Sequence, residues 1–161
     1  MAFARWPGGP FPRLLEIIRS PRGEKFVIEK NGYVESALLG TTHHPEHLTQ
    51  TVLDAYRAPF PTPASHTALL CWSRDIPISE TDPSFAEMKR IEEGLSQFAR
   101  TPVLLVWGMR DPVLAESVLT MWQQLYPHAE TCKIKDASHF LQEDAPEQIV
   151  RHIETFLTTH P

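Results

Sequence analysis

At 161 residues the chain can bury the core of one domain of ordinary size, since domains run about 50 to 250 residues. Its 20 acidic residues outnumber 15 basic ones for a formal charge of −5, and no basic face gathers, which argues against nucleic acid or an anionic membrane surface as partner and favours small neutral ligands. Apolar runs such as Val103 to Trp107 fall far short of the roughly 20 residues of a membrane span, and Met1 to Trp6 lacks the makings of a signal peptide. A soluble cytoplasmic protein is therefore expected.

The sequence divides near Pro77 to Pro83. Residues 1–80 are proline-rich and read as a helical cap, or lid, whereas residues 81–161 alternate helix and strand as a piece of a parallel α/β sheet. In chain order, Phe11 and Pro12 lead into a helix that sets Leu14, Leu15, Ile17 and Ile18 on one face and stops at Pro21. Phe26 to Ile28 reads as a short strand or a helical turn, broken at Asn31-Gly32. Tyr33 to Leu39 reads as helix ending at Gly40, Pro45 opens a helix through Ala55, and Thr62-Pro63 has the cap-then-proline order of a helix running to about Arg74. The aromatic residues Trp6, Phe11, Tyr33 and Trp72 are expected to pack within this cap.

Asp82 then caps, and Pro83 begins, a long amphipathic helix whose Phe85, Met88, Ile91, Leu95 and Phe98 face the sheet. Val103 to Trp107 is a strand covered on both faces. Leu114 to Leu125 and Pro146 to Leu157 supply helices on either side of a second strand near Thr131 to Ile134, the last helix turning Ile149, Ile153 and Phe156 inward. Cys71 and Cys132 are expected to be reduced, buried thiols.

The chemistry lies where the two strands end. The first runs into Gly108, Met109, Arg110, Asp111 and Pro112, and the second into Asp136, Ala137, Ser138, His139 and Phe140. Open α/β sheets place ligands at the carboxyl ends of their strands. One helix-and-strand unit separates Asp111 from His139, so adjacent strands would bring an acid beside a base, the last two members of a triad in the order nucleophile, acid, base. Alone, Asp111 reads as a turn residue before Pro112, and Asp136 competes for the acid role. Pairing with His139 favours Asp111. No nucleophile elbow precedes them, because no two glycines have the spacing that such a strained turn uses. His43, His44 and His47 with Glu46 read as a solvated helix entrance, since adjacent histidines diverge in direction, and no metal or other cofactor is expected.

The segments VLLVWGMRDPV and SHFLQEDAPEQIVRHIETFL resemble the acid and histidine segments of α/β-hydrolases, most closely those of the haloalkane dehalogenases. SPRGEKFVIEKNGYVESALLG, AYRAPFP and WSRDIPI resemble the cap of the same family, so the likeness runs from about Phe11 to Leu157. Related dehalogenase-like enzymes share the WGMRD and histidine segments, including β-lactone decarboxylases and, more loosely, epoxide hydrolases.

The resemblance implies the C-terminal part of an α/β-hydrolase fold: the cap, then the last parallel strands and helices of the core sheet. It implies a two-step hydrolysis, in which a carboxylate displaces halide and a histidine-activated water cleaves the ester intermediate. His139 would activate that water and Asp111 would orient His139. Family members carry the acid after this strand or the preceding one, and the cap resembles the second group, so a residue upstream of this chain is the alternative acid. Phe11, Pro12, Tyr33, Ala37, Leu38, Val113, Leu114 and Phe140 would face an apolar, water-excluding pocket for a small halogenated substrate. The nucleophile and most of the sheet would lie upstream of Met1. The chain is then expected to be inactive alone, and to pair with the missing N-terminal half or with itself through open strand edges.

Overall fold

A computed structural model describes residues 3–5 and 11–161, leaving out the side chain of Phe11. The chain forms two compact units, one of residues 1–40 and 48–95 and the other of residues 41–47 and 96–161. The helix over residues 85–94, grouped with the sheet in the sequence reading, belongs to the first unit, and the strap 41–47 to the second.

The first unit is helical. Helix α1 (Phe11–Arg19) ends at Ser20, whose hydroxyl accepts the Gly23 N–H at 3.2 Å and caps α2 (Pro21–Lys30), with Pro21 in the first turn. Phe26 to Ile28 are thus helical rather than a strand. A Cβ at Gly23 would run into the Ile17 carbonyl and the Ile18 Cα, so only glycine lets α2 leave so close to the end of α1. Asn31 closes α2 in the left-handed region, at φ 49°. A π-helical turn (Tyr33–Ala37) follows and runs into the short α3 (Leu38–Gly40).

Helices α4 (Gln50–Arg57), α5 (Thr67–Asp75) and α6 (Phe85–Gly94) complete the unit. Each starts later than its proline signal suggests. Pro45 opens only one 3-10 turn, Pro45–His47, and Thr49 is the true cap of α4, accepting the Val52 N–H at 3.4 Å. Asp82 does not cap α6; its carboxylate accepts the N–H groups of Ile78 (2.8 Å) and Ser79 (2.9 Å) and faces the Arg19 guanidinium at 3.0 Å.

The core of this unit is Ile18, Val27 and Leu70, with Ile28, Tyr33 and Leu69 against it. On α1, Leu15 and Ile18 are buried while Leu14 and Ile17 are exposed, so the expected four-residue apolar face is half as wide. Trp72 is 71% exposed rather than buried in a core, Cys71 is exposed rather than buried, and Trp6 lies outside the described residues. Ile91 on α6 and Phe98 in the following 3-10 turn (Leu95–Phe98) are exposed as well.

In the second unit, β1 (Leu104–Gly108) and β2 (Glu130–Ile134) pair in parallel, Leu104 opposite Glu130 and Gly108 opposite Ile134. Helix α7 (Glu116–Leu125) connects them, burying Val118 and Leu119. Helices α8 (Leu141–Asp144) and α9 (Pro146–Thr159) follow β2. Ile134, Ala137 and Ala145 form the core, joined by Val106, Cys132, Leu141 and Ile149; Ile153 of α9, expected inside, is exposed. Burial raises the pKa of the half-buried Cys132 thiol. Among the described residues each strand has one partner only.

Candidate active site

Because β1 and β2 are adjacent and parallel, their carboxyl ends open on the same side and the loops that follow them meet. The Met109 N–H donates to the Ile134 carbonyl and the Arg110 N–H to that of Ala137, both at 2.9 Å, while the Ser138 hydroxyl donates to the Arg110 carbonyl at 3.1 Å. Gly108 permits this lacing. A Cβ there would collide with the Ser138 carbonyl oxygen and lie 2.8 Å from that of Ala137.

The two loops set Asp111 against His139. The imidazole Nδ1 lies 2.9 Å from Asp111 Oδ2, while Asp111 Oδ1 accepts the N–H groups of Val113 (2.7 Å) and Leu114 (2.8 Å). Three hydrogen bonds therefore fix the carboxylate, whose side chain is 7% exposed against 32% for His139. An ionised carboxylate only accepts, so Nδ1 carries the proton and Nε2 the lone pair. Nε2 has no hydrogen-bond partner among the described residues. A fixed acid inside and a partly accessible base outside can draw a proton from water and hold the resulting cation. Asp136 is exposed and makes no bond to His139.

Of the residues expected to face a pocket, Phe140 meets the His139 ring edge-on at 5.6 Å, and Val113 and Leu114 are half-buried beside Asp111. Pro12, Tyr33 and Ala37 are half-buried in the first unit. Tyr33 packs on the Ile18, Val27 and Leu70 cluster, and burial raises its hydroxyl pKa against the opposing effect of a hydrogen bond with Ser73. Leu38 is fully packed at 1% exposure, and the Phe11 side chain lies outside the described residues.

Two features escaped the sequence reading. Asp144, 6% exposed, accepts the N–H groups of Ser138 (2.7 Å), His43 (3.1 Å) and His44 (2.8 Å), and the His139 N–H donates to the Thr41 carbonyl at 3.0 Å. Only the proximity of Asp144 to His139 in sequence could have hinted at the first. The strap also gathers His44, Glu46 and His47, with one ligand-type atom from each within 4.8 Å of the others. His44 Nδ1 meets Glu46 at 3.0 Å, which raises its pKa, and His47 Nδ1 donates to the Glu143 carbonyl at 2.9 Å. No described helix is long and apolar enough to cross a membrane.

The comparisons with known proteins agree with this architecture. The chain is 30% identical over 151 residues to the cis-3-alkyl-4-alkyloxetan-2-one decarboxylase of Shewanella oneidensis, a match covering 92% of the chain and 47% of that protein. It is 27% identical over 145 residues to a haloalkane dehalogenase of Mesorhizobium japonicum, covering 89% and 46% respectively. The crystal structure of a haloalkane dehalogenase from Agrobacterium tumefaciens C58 superposes with a TM-score of 0.78 at 27% identity, covering 94% of this chain and 52% of that one. The chain thus spans about half the length of the curated relatives it matches. The model of the alpha/beta hydrolase fold matches residues 25–146, and the chain belongs to that family.

Proposed function

We propose that this chain supplies the acid and base of a haloalkane dehalogenase-type hydrolase, with Asp111 as acid and His139 as base. The reading rests above all on one observation: His139 Nδ1 lies 2.9 Å from a buried carboxylate at the ends of two parallel strands, with Nε2 unpaired among the described residues. The likeness to dehalogenases in sequence and fold supports it.

In the reaction, a nucleophilic carboxylate attacks the carbon that bears the halogen, a carbon–oxygen bond forms and halide leaves with the bonding pair. His139 Nε2 then takes one proton from water as the water oxygen attacks the ester carbonyl. Collapse of the tetrahedral adduct breaks the ester bond. The alcohol leaves with the second water proton, the carboxylate is regenerated, and the imidazolium, held by Asp111, releases its proton to solvent. The nucleophile comes from a segment outside these residues, and the open edges of β1 and β2 are where added strands would pair.

The higher identity to an alkyloxetanone decarboxylase favours a second reading, cleavage of a cis-3-alkyl-4-alkyloxetan-2-one with the same base. One preparation separates the two. The chain is assembled with the part of the Mesorhizobium japonicum relative that it does not match, then given 1-bromobutane or the oxetanone. Sustained halide release that falls to a single burst in His139→Ala supports the first reading. Carbon dioxide release alone supports the second, and no His139-dependent product from an assembled pair contradicts both.

A further inference from the structure

We propose that Asp144 is a positioning residue for His139, clamping the main chain just before the imidazole to the strap 41–47. The inference rests on the assignment of His139 as base and adds what holds that base in register.

Asp144 ends α8 and is buried, yet no lysine or arginine pairs with it among the described residues. Main-chain dipoles replace the missing cation. Oδ2 accepts the N–H groups of Ser138 at 2.7 Å and His43 at 3.1 Å, and Oδ1 accepts that of His44 at 2.8 Å. A buried charge needs such compensation, and three convergent donors supply it.

Their sequence positions give the arrangement its consequence. Ser138 immediately precedes His139, whose own N–H donates to Thr41 at the start of the same strap. Two consecutive amides of the base-bearing loop are therefore tied to one segment, the first through Asp144. On its other side the loop is laced to Arg110, beside Asp111. Without the carboxylate Ser138 loses its tie to the strap, leaving the single His139–Thr41 bond on that side. The backbone at 138 and 139 can then shift, and a displacement of about 1 Å suffices to spoil a catalytic hydrogen bond.

The test reads the imidazole directly. Long-range 1H–15N spectra of the full chain should show neutral His139 as the Nδ1–H tautomer, whereas a free imidazole mixes both forms. Asp144→Asn turns one acceptor into a donor facing N–H groups. It is expected to move His139 toward the mixed pattern, while Asp82→Asn, which weakens the first unit, leaves it unchanged. An unaltered Nδ1–H tautomer in folded Asp144→Asn would overturn the clamp. A mixed pattern already present in the wild type would instead undercut the pairing with Asp111, and the clamp with it. Should Asp144→Asn fail to fold, wild-type hydrogen exchange decides: the Ser138, His43 and His44 amides should be slowed together, at least about 100-fold. Free exchange at any of the three would overturn the clamp.

Discussion

Gly108 and the Ser138 carbonyl lie so close that no side chain fits between them: a Cβ on Gly108 would overlap the Ser138 oxygen and crowd that of Ala137. Both obstacles are main chain, which cannot swing aside as a side-chain tip can. Gly108→Ala should therefore cost about 2 to 4 kcal/mol, the range of severe steric substitutions, read as a lower urea midpoint with unchanged m value. It should also separate the loops that carry Asp111 and His139.

Asp82 gives the first unit an acid-sensitive joint. The Ile78 N–H is the main influence holding its carboxyl below the usual range, against desolvation and helped by the Ser79 N–H and the Arg19 guanidinium. A depressed folded pKa contributes stability above the unfolded value of about 3.9, lost as pH falls through the folded value. Asp82→Asn should cost about 1 to 2 kcal/mol at pH 7. The gap from wild type should close below about pH 4 in parallel urea titrations.

Asn31 sits at φ 49° at the end of α2, and its buried Oδ1 has no hydrogen-bond partner among the described residues. Alanine at that position should cost about 1 kcal/mol for the left-handed backbone, while Asn31→Gly should match or exceed wild type. Thermal melts of the two variants check the order.

Leu119 on α7 is 0% exposed. Leu119→Ala should cost about 2 to 5 kcal/mol through lost contacts and the cavity left behind, whereas Leu157→Ala, at a side chain 61% exposed, should stay within about 0.5 kcal/mol. Chemical denaturation of both compares the two environments.

The meeting of Asp111 with His139 was legible in the sequence because a near-continuous apolar strand ending in a polar turn is a local signal, and two such units repeat it. The clamp was not. Asp144 collects N–H groups from residues about 100 positions away, and nothing local marks a carboxylate as buried. Helix starts were misjudged for a related reason: Pro45, Pro63 and Pro83 fit the first turn of a helix equally well as a tight turn, Thr49 rather than a residue before Pro45 caps α4, and Asp82 accepts the Ile78 and Ser79 N–H groups instead of capping α6. The helices of the first unit expose Leu14, Ile17 and Trp72 where periodicity or aromatic character suggested burial.

The most direct test of the account is the stoichiometry of halide release from the assembled enzyme carrying His139→Gln. With the base gone, displacement of halide still proceeds but water cannot clear the ester. The account predicts a burst of about one halide per active site followed by no turnover, with the alkyl group retained on the protein. Continued turnover at the wild-type rate would contradict it.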